Sequence, residues 1–133
     1  MQTTIKGLGV DIAPITRITK LVARYEREIL NLLFTASEIN QCQAASNSHQ
    51  YYAICFATKE AVGKALGTGI VGIAWNEIEA NIIDNKLTIH LYGEASSQAK
   101  KRDIQKWLAS WFHWDDHVLV HVLALGNGMT NDQ

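Results

Sequence analysis

Glu60 and Lys64 stand one helical turn apart in the stretch Phe56-Ala-Thr-Lys-Glu-Ala-Val-Gly-Lys-Ala-Leu-Gly-Thr-Gly-Ile70. Residues four apart on a helix share a face, so the pair is either an ordinary surface ion pair or part of a charged site. A second carboxylate gives the site reading weight. Asp11 closes the segment Gly7-Leu-Gly-Val-Asp11-Ile, between two apolar neighbours at the end of a strand-like run. There it is either a helix cap or a ligand. His113, His117 and His121 are spaced by four, which on a helix would make a metal-binding face. We reject that reading because the last two fall in a strand-like run and no Glu flanks the first as in a zincin helix. The chain has no Walker loop, no dinucleotide-binding glycine pattern after a strand, and no serine nucleophile elbow.

These residues need elements to carry them. Ala57 to Leu66 is rich in helix formers, and Gly67 and Gly69 supply the left-handed backbone that stops a helix. Phe56, Val62 and Leu66 face a core. Ile5 to Ile12 reads as a strand whose two glycines allow a close backbone approach. A helix follows, with Pro14 suited to its first turn. Its apolar stripe is Ile15, Ile18, Leu21 or Val22, Tyr25 and Ile29, and its basic stripe is Arg17, Lys20, Arg24 and Arg27. The basic stripe is a solvated face or a surface for an acidic helical partner. Thr35-Ala-Ser-Glu38 is a capping box that starts a short helix carrying Ile39 and Cys42 inward.

Ala45 to His49 reads as a loop. Ile73 to Ile83 and Leu87 to Leu91 form a hairpin around Asp84-Asn85. Glu94 to Trp111 is helical in composition, with Ala95, Ala99, Leu108 and Trp111 facing in. His117 to Leu125 is a buried strand. Residues 1–126 make one domain, and 127–133 read as a flexible C-terminal tail.

A chain of 133 residues can bury a real core, and 47% hydrophobic with 19% charged residues is a globular composition. The formal charge of −1 gives no general attraction to nucleic acid or anionic membrane. Cys42 and Cys55 lack metal-site spacing and read as reduced thiols. With no signal-peptide pattern and no membrane-spanning run, the expected location is cytoplasmic.

The two glycine-containing segments, with Phe34-Thr-Ala-Ser-Glu38 between them and Trp75-Asn-Glu-Ile-Glu79 after them, resemble the holo-acyl-carrier-protein synthase type of 4′-phosphopantetheinyl transferase. The likeness runs from about Ile5 to Leu125. It implies an α+β fold, an antiparallel sheet with helices packed on one side. It also implies Mg²⁺-dependent transfer of the phosphopantetheine arm of coenzyme A to a serine of an apo acyl carrier protein, releasing 3′,5′-ADP. The alternative is a domain that binds coenzyme A or a carrier without transferring anything.

Carried onto this chain, the resemblance implies metal ligands at Asp11 and Glu60 and catalytic roles for Glu60 and Lys64. Coenzyme A contacts would fall at Lys64, Gly67, Thr68, Gly69 and His113, and carrier contacts at Arg17, Lys20 and Arg24. A homotrimer with active sites between subunits is the implied assembly. Two departures stand out. The closing motif reads Ser110-Trp-Phe-His113, with Phe112 where the family has a second serine. The loop Ala44-Ala-Ser-Asn-Ser-His49 and Cys55 lack the basic residues that relatives offer to the 3′-phosphate of coenzyme A.

Overall fold

A computed structural model describes residues 2–128. In chain order the elements are β1 (Thr3–Pro14), α1 (Ile15–Arg24), α2 (Arg27–Leu33), α3 (Ala36–Ala44), α4 (Ser48–Leu66), β2 (Ile78–Ile83), β3 (Lys86–Leu91), α5 (Gly93–Lys101), β4 (Ile104–Trp114) and β5 (His117–Asn127). The strands form two antiparallel sheets, ordered β1-β5-β4 and β2-β3. The α+β expectation holds.

Helix α4 packs along β1 and β5 and is almost wholly buried, with Ile54, Ala57, Ala61 and Val62 at 0% exposure. Side chains alternate across β5. Val118, Val120, Val122 and Ala124 point to α4 and are buried, while Leu119, His121 and Leu123 lie on the other face and are partly covered. Paired residues in an antiparallel ladder share a face. Gly7, Gly9, Asp11 and Ala13, which pair with Ala124, Val122, Val120 and Val118, therefore also look toward α4. A Cβ on Gly9 would overlap the carbonyl oxygen of Ala61, and one on Gly7 that of Ala65. The glycines let helix and strand backbones touch.

Several expectations need correction. Residues 104–114 are a strand, not the second half of a helix: α5 ends at Lys101, and Asp103 turns the chain at φ 56°. Pairing of Trp107, Ala109, Trp111 and His113 with β5 outweighs a helix-friendly composition. Leu108, expected inside, is 46% exposed on the outer face. The helix after β1 is broken at extended Tyr25 and Glu26, so Arg27 leaves the basic stripe. The expected strand from Ile73 is regular only from Ile78, because Trp75–Glu77 is a 3₁₀ turn with Trp75 stacked on Phe56. Helix α4 begins at Ser48, taking in the end of the expected loop. Strand β5 continues through Asn127, past the expected boundary, and residues 129–133 of the expected tail lie outside the described residues.

Other readings hold. Thr35 and Glu38 form the capping box, and Asp84-Asn85 turn the hairpin with φ of 52° and 63°. Pro14 ends β1 at the N-cap position of α1 and offers no side-chain cap. Asp116, in the β4–β5 turn, supplies it: its carboxylate accepts from Thr16 N (3.0 Å) and Thr16 Oγ1 (2.7 Å).

Candidate active site

Asp11 and Glu60 line one small pocket of about 160 Å³ with Ala13, Arg17, Ile18 and Phe56. Strand β1 delivers Asp11 on its helix-facing side two residues beyond Gly9, and α4 delivers Glu60 beside Ala61, which Gly9 touches. The close approach of helix and strand is what brings the two carboxylates to one pocket. Lys64 does not pair with Glu60. Its ammonium donates to Asp11 Oδ1 (3.1 Å) and to the Val10 carbonyl (2.9 Å), reaching across from α4 to β1. Asp11 is thus an ion-pair partner of Lys64 and does not cap α1.

Partial burial pushes the Asp11 carboxyl above its usual range, against the opposing pull of Lys64 and Arg17. Burial also raises Glu60, and the nearby Asp11 charge adds to it, again against Lys64 and Arg17. Both shifts mean that the pocket solvates its carboxylate charges less well than water does, and Lys64 and Arg17 offset only part of that loss. Such a pocket favours an added cation. Two carboxylates from separate elements suit Mg²⁺, which takes one or two protein carboxylates and fills its remaining positions with phosphate oxygens and water. Among the described residues no group of three or more His, Cys, Asp or Glu side chains is placed to hold a metal, and the three histidines do not converge. His113 is on the helix side of β4, whereas His121 is on the opposite face, beside Ser110 (2.5 Å).

Arg17 and Pro14 also border a second groove of about 570 Å³, whose floor is Leu21 and Tyr25 and whose rim carries Lys20 and Arg24. The basic stripe therefore leads directly into the carboxylate pocket. His113 lies elsewhere. It lines a groove of about 690 Å³ with Ser46, Asn47, Gln50, Tyr51 and Phe112, on the strand at the far edge of the sheet from β1. Gly67, Thr68 and Gly69 form the turn that ends α4. Gly67 is left-handed at φ 80°, and Gly69 N donates to the Gly63 carbonyl. The structure thus unites Asp11, Glu60, Lys64 and Arg17 and sets His113 apart.

Sequence reasoning missed Lys59. It is fully buried and paired with Glu38, Nζ to Oε1 2.7 Å. A signal was present: Cys55, Lys59, Val62 and Leu66 are spaced by four, three and four, so Lys59 sits on the apolar stripe.

The chain matches the family model of the 4′-phosphopantetheinyl transferase superfamily over residues 7–121. It is 37% identical over 123 residues to the holo-[acyl-carrier-protein] synthase of Desulforudis audaxviator, spanning 92% of this chain and 94% of that protein. Among solved structures it resembles the Neisseria meningitidis holo-[acyl-carrier-protein] synthase, with TM-score 0.80 and 28% identity, covering 91% of this chain and 98% of that one. The Helicobacter pylori holo-[acyl-carrier-protein] synthase in complex with coenzyme A matches with TM-score 0.75 and 30% identity, covering 88% and 98% of the two chains.

Proposed function

The chain belongs to the 4′-phosphopantetheinyl transferase superfamily as a holo-[acyl-carrier-protein] synthase, and from that premise we propose a Mg²⁺-dependent transfer from coenzyme A at the Asp11–Glu60 pocket. The carrying observation is the meeting of two carboxylates and Arg17 at one opening, with Lys64 bonded to Asp11 beside it. Asp11 and Glu60 hold the cation. When bound, Mg²⁺ supplies the Lewis acidity that draws charge from the pyrophosphate. Lys64 leaves Asp11 to neutralise phosphate oxygens as negative charge builds on the leaving group.

The carrier serine oxygen bonds to the phosphorus bearing the pantetheine arm. The bond from that phosphorus to the bridging oxygen breaks, and 3′,5′-ADP leaves with the electron pair. The serine proton passes to a base, for which Glu60, at the pocket opening, is the chain's own candidate. Residues 1–126 act as the transferase domain. The free thiols of buried Cys42 and Cys55, 3.9 Å apart, support a reducing cytoplasmic setting. Intact mass decides the activity: a candidate apo-carrier incubated with coenzyme A and Mg²⁺ gains one phosphopantetheine unit. No gain on several apo-carriers would leave only a binding function.

We assign carrier docking to Arg17, Lys20 and Arg24. Because Arg17 also faces the carboxylates, the clean test reverses the other two. Lys20→Glu with Arg24→Glu raises the carrier KM several-fold at low salt and leaves coenzyme A binding as it was, since rim charges govern encounter. An unchanged carrier KM at low salt would reduce the stripe to a solvated surface.

The assembly we propose is the homotrimer. Its support is the outer face of the three-stranded sheet, where Leu8 (60%), Ile12 (51%) and Phe112 (57%) form part of an exposed apolar surface suited to other copies. A neighbouring copy's His113 groove would complete the coenzyme A site that one chain leaves in two parts.

In that groove Ser46, Asn47, Gln50 and Tyr51 offer neutral donors, and among the described residues no Lys or Arg lines it. An exposed ion pair is worth about 0.2–1 kcal/mol, so the absence of two or three weakens hold on a 3′-phosphate by roughly tenfold. We therefore predict similar kcat/KM for coenzyme A and 3′-dephospho-coenzyme A, within about one order of magnitude. A much larger preference for the phosphorylated donor would mean that cations outside this groove meet the phosphate.

A further inference from the structure

The Lys59–Glu38 pair lies on the opposite side of α4 from β1, outside the pocket just described. Lys59 Nζ donates to Glu38 Oε1 (2.7 Å) and to the Ile78 carbonyl, and lies 5.7 Å from the centre of the Phe34 ring. Glu38 Oε1 also accepts from Thr35 N, and its Oε2 accepts from Ala80 N (2.9 Å). Both residues are 0% exposed. Three elements, α3, α4 and β2, therefore meet in one fully bonded ionic cluster. A buried pair of this kind adds little to stability over an apolar replacement, because desolvation offsets the attraction. Its distinctive property is direction.

Elsewhere α4 has little buried direction: the bonds of Lys64 to Asp11 and the Val10 carbonyl also tie it to β1, but through an ammonium that is half exposed. Against β1 the helix presents Ala61 and Ala65 to glycine backbone. Small, smooth surfaces hold the separation of helix and strand but resist rotation and sliding weakly. Successive helical residues point about 100° apart. A side chain locked at position 59 therefore sets where the carboxylate at position 60 points. We propose that Lys59 and Glu38 are positioning residues that fix the rotation of α4 and so hold Glu60 at the Asp11 pocket. The proposal rests on the reading of Glu60 as a metal ligand.

Two neutral replacements test it, Lys59→Met/Glu38→Gln and Lys59→Gln/Glu38→Gln. Each removes both charges and keeps an acceptor for Thr35 N or Ala80 N. Folding is checked by circular dichroism and thermal melting, Mn²⁺ affinity by the paramagnetic resonance of free Mn²⁺, and kcat and carrier KM by transfer assays. In a folded variant we expect Mn²⁺ affinity to fall about tenfold or more and kcat to fall by about 10², the scale of an ångström-level misplacement. Carrier KM stays within about twofold, as docking is remote from the pair.

Wild-type kcat and Mn²⁺ affinity in a folded variant would overturn the proposal. So would failure of both variants to fold, since the pair would then serve the fold and not orientation. Glu60→Gln measured alongside separates the two readings. If that variant binds Mn²⁺ as wild type does, the ligand assignment fails. If it loses Mn²⁺ while the neutral pairs keep it, only the positioning role fails.

Discussion

Glu60→Gln and Asp11→Asn each lower the transfer rate by a factor of about 10² to 10³ at saturating Mg²⁺, the usual worth of one preorganised electrostatic contact in a transition state. Both replacements keep shape and remove one negative charge from a pocket where partial burial already disfavours that charge. Neither variant therefore melts below the wild type by more than a few degrees. Asp11→Asn has a second consequence, because it weakens the resting contact of Lys64. Lys64 then keeps the Val10 carbonyl and an uncharged amide oxygen as partners, and the variant's loss in kcat exceeds its loss in donor affinity. Single-turnover rates with excess enzyme give the chemical step directly. Wild-type rates in either variant would remove the carboxylates from the mechanism.

The second large effect is structural. Gly9→Ala places a methyl group against the Ala61 carbonyl oxygen, a backbone atom that no rotamer change can move. Helix and strand must separate, and overpacking of this kind costs about 1–3 kcal/mol or more. For a domain of this size that is a fall in Tm of roughly 5–10 °C. The separation also parts Glu60, next to Ala61, from Asp11, two residues after Gly9, so kcat falls with stability. Gly67→Ala is the contrast. Its Cβ would meet nothing, and only the left-handed φ of 80° is penalised, at about 1 kcal/mol. Gly9→Ala melting within a degree of wild type would refute the tight helix–strand contact.

Local signals were legible where local physics decides. The capping box at Thr35, the left-handed pair Asp84-Asn85 and the glycine stop of α4 all form as their residue types dictate. That Asp11 and Glu60 belong to one place was also readable, because their segments carry a specific family pattern, and they line one pocket. Partnership was not. Lys64 was legible as a neighbour of Glu60 on the helix, yet it reaches a strand more than fifty residues away in the chain. Asp116 caps α1 from a distant hairpin turn, which no local reading around Pro14 could find. Ile104 to Trp114 carries Gln, Lys and Ala that suit a helix. Its strand state is set by β5, which comes later in the chain. Each of these errors concerns a long-range contact overriding a local preference.

Strand β5 is the last element of the described chain and the middle strand of its sheet. During synthesis β1 is made more than a hundred residues before its hydrogen-bonding partner. Until His117–Asn127 leaves the ribosome, β1 and β4 have no ladder between them, and α4 has no floor formed by Val118, Val120 and Val122. Closing so long a loop is slow relative to forming local helices. Asp11 therefore settles beside Glu60 only after β5 has been made. A chain that stops before β5 has neither a ladder for β1 nor a floor for α4, and so no settled Asp11–Glu60 pocket.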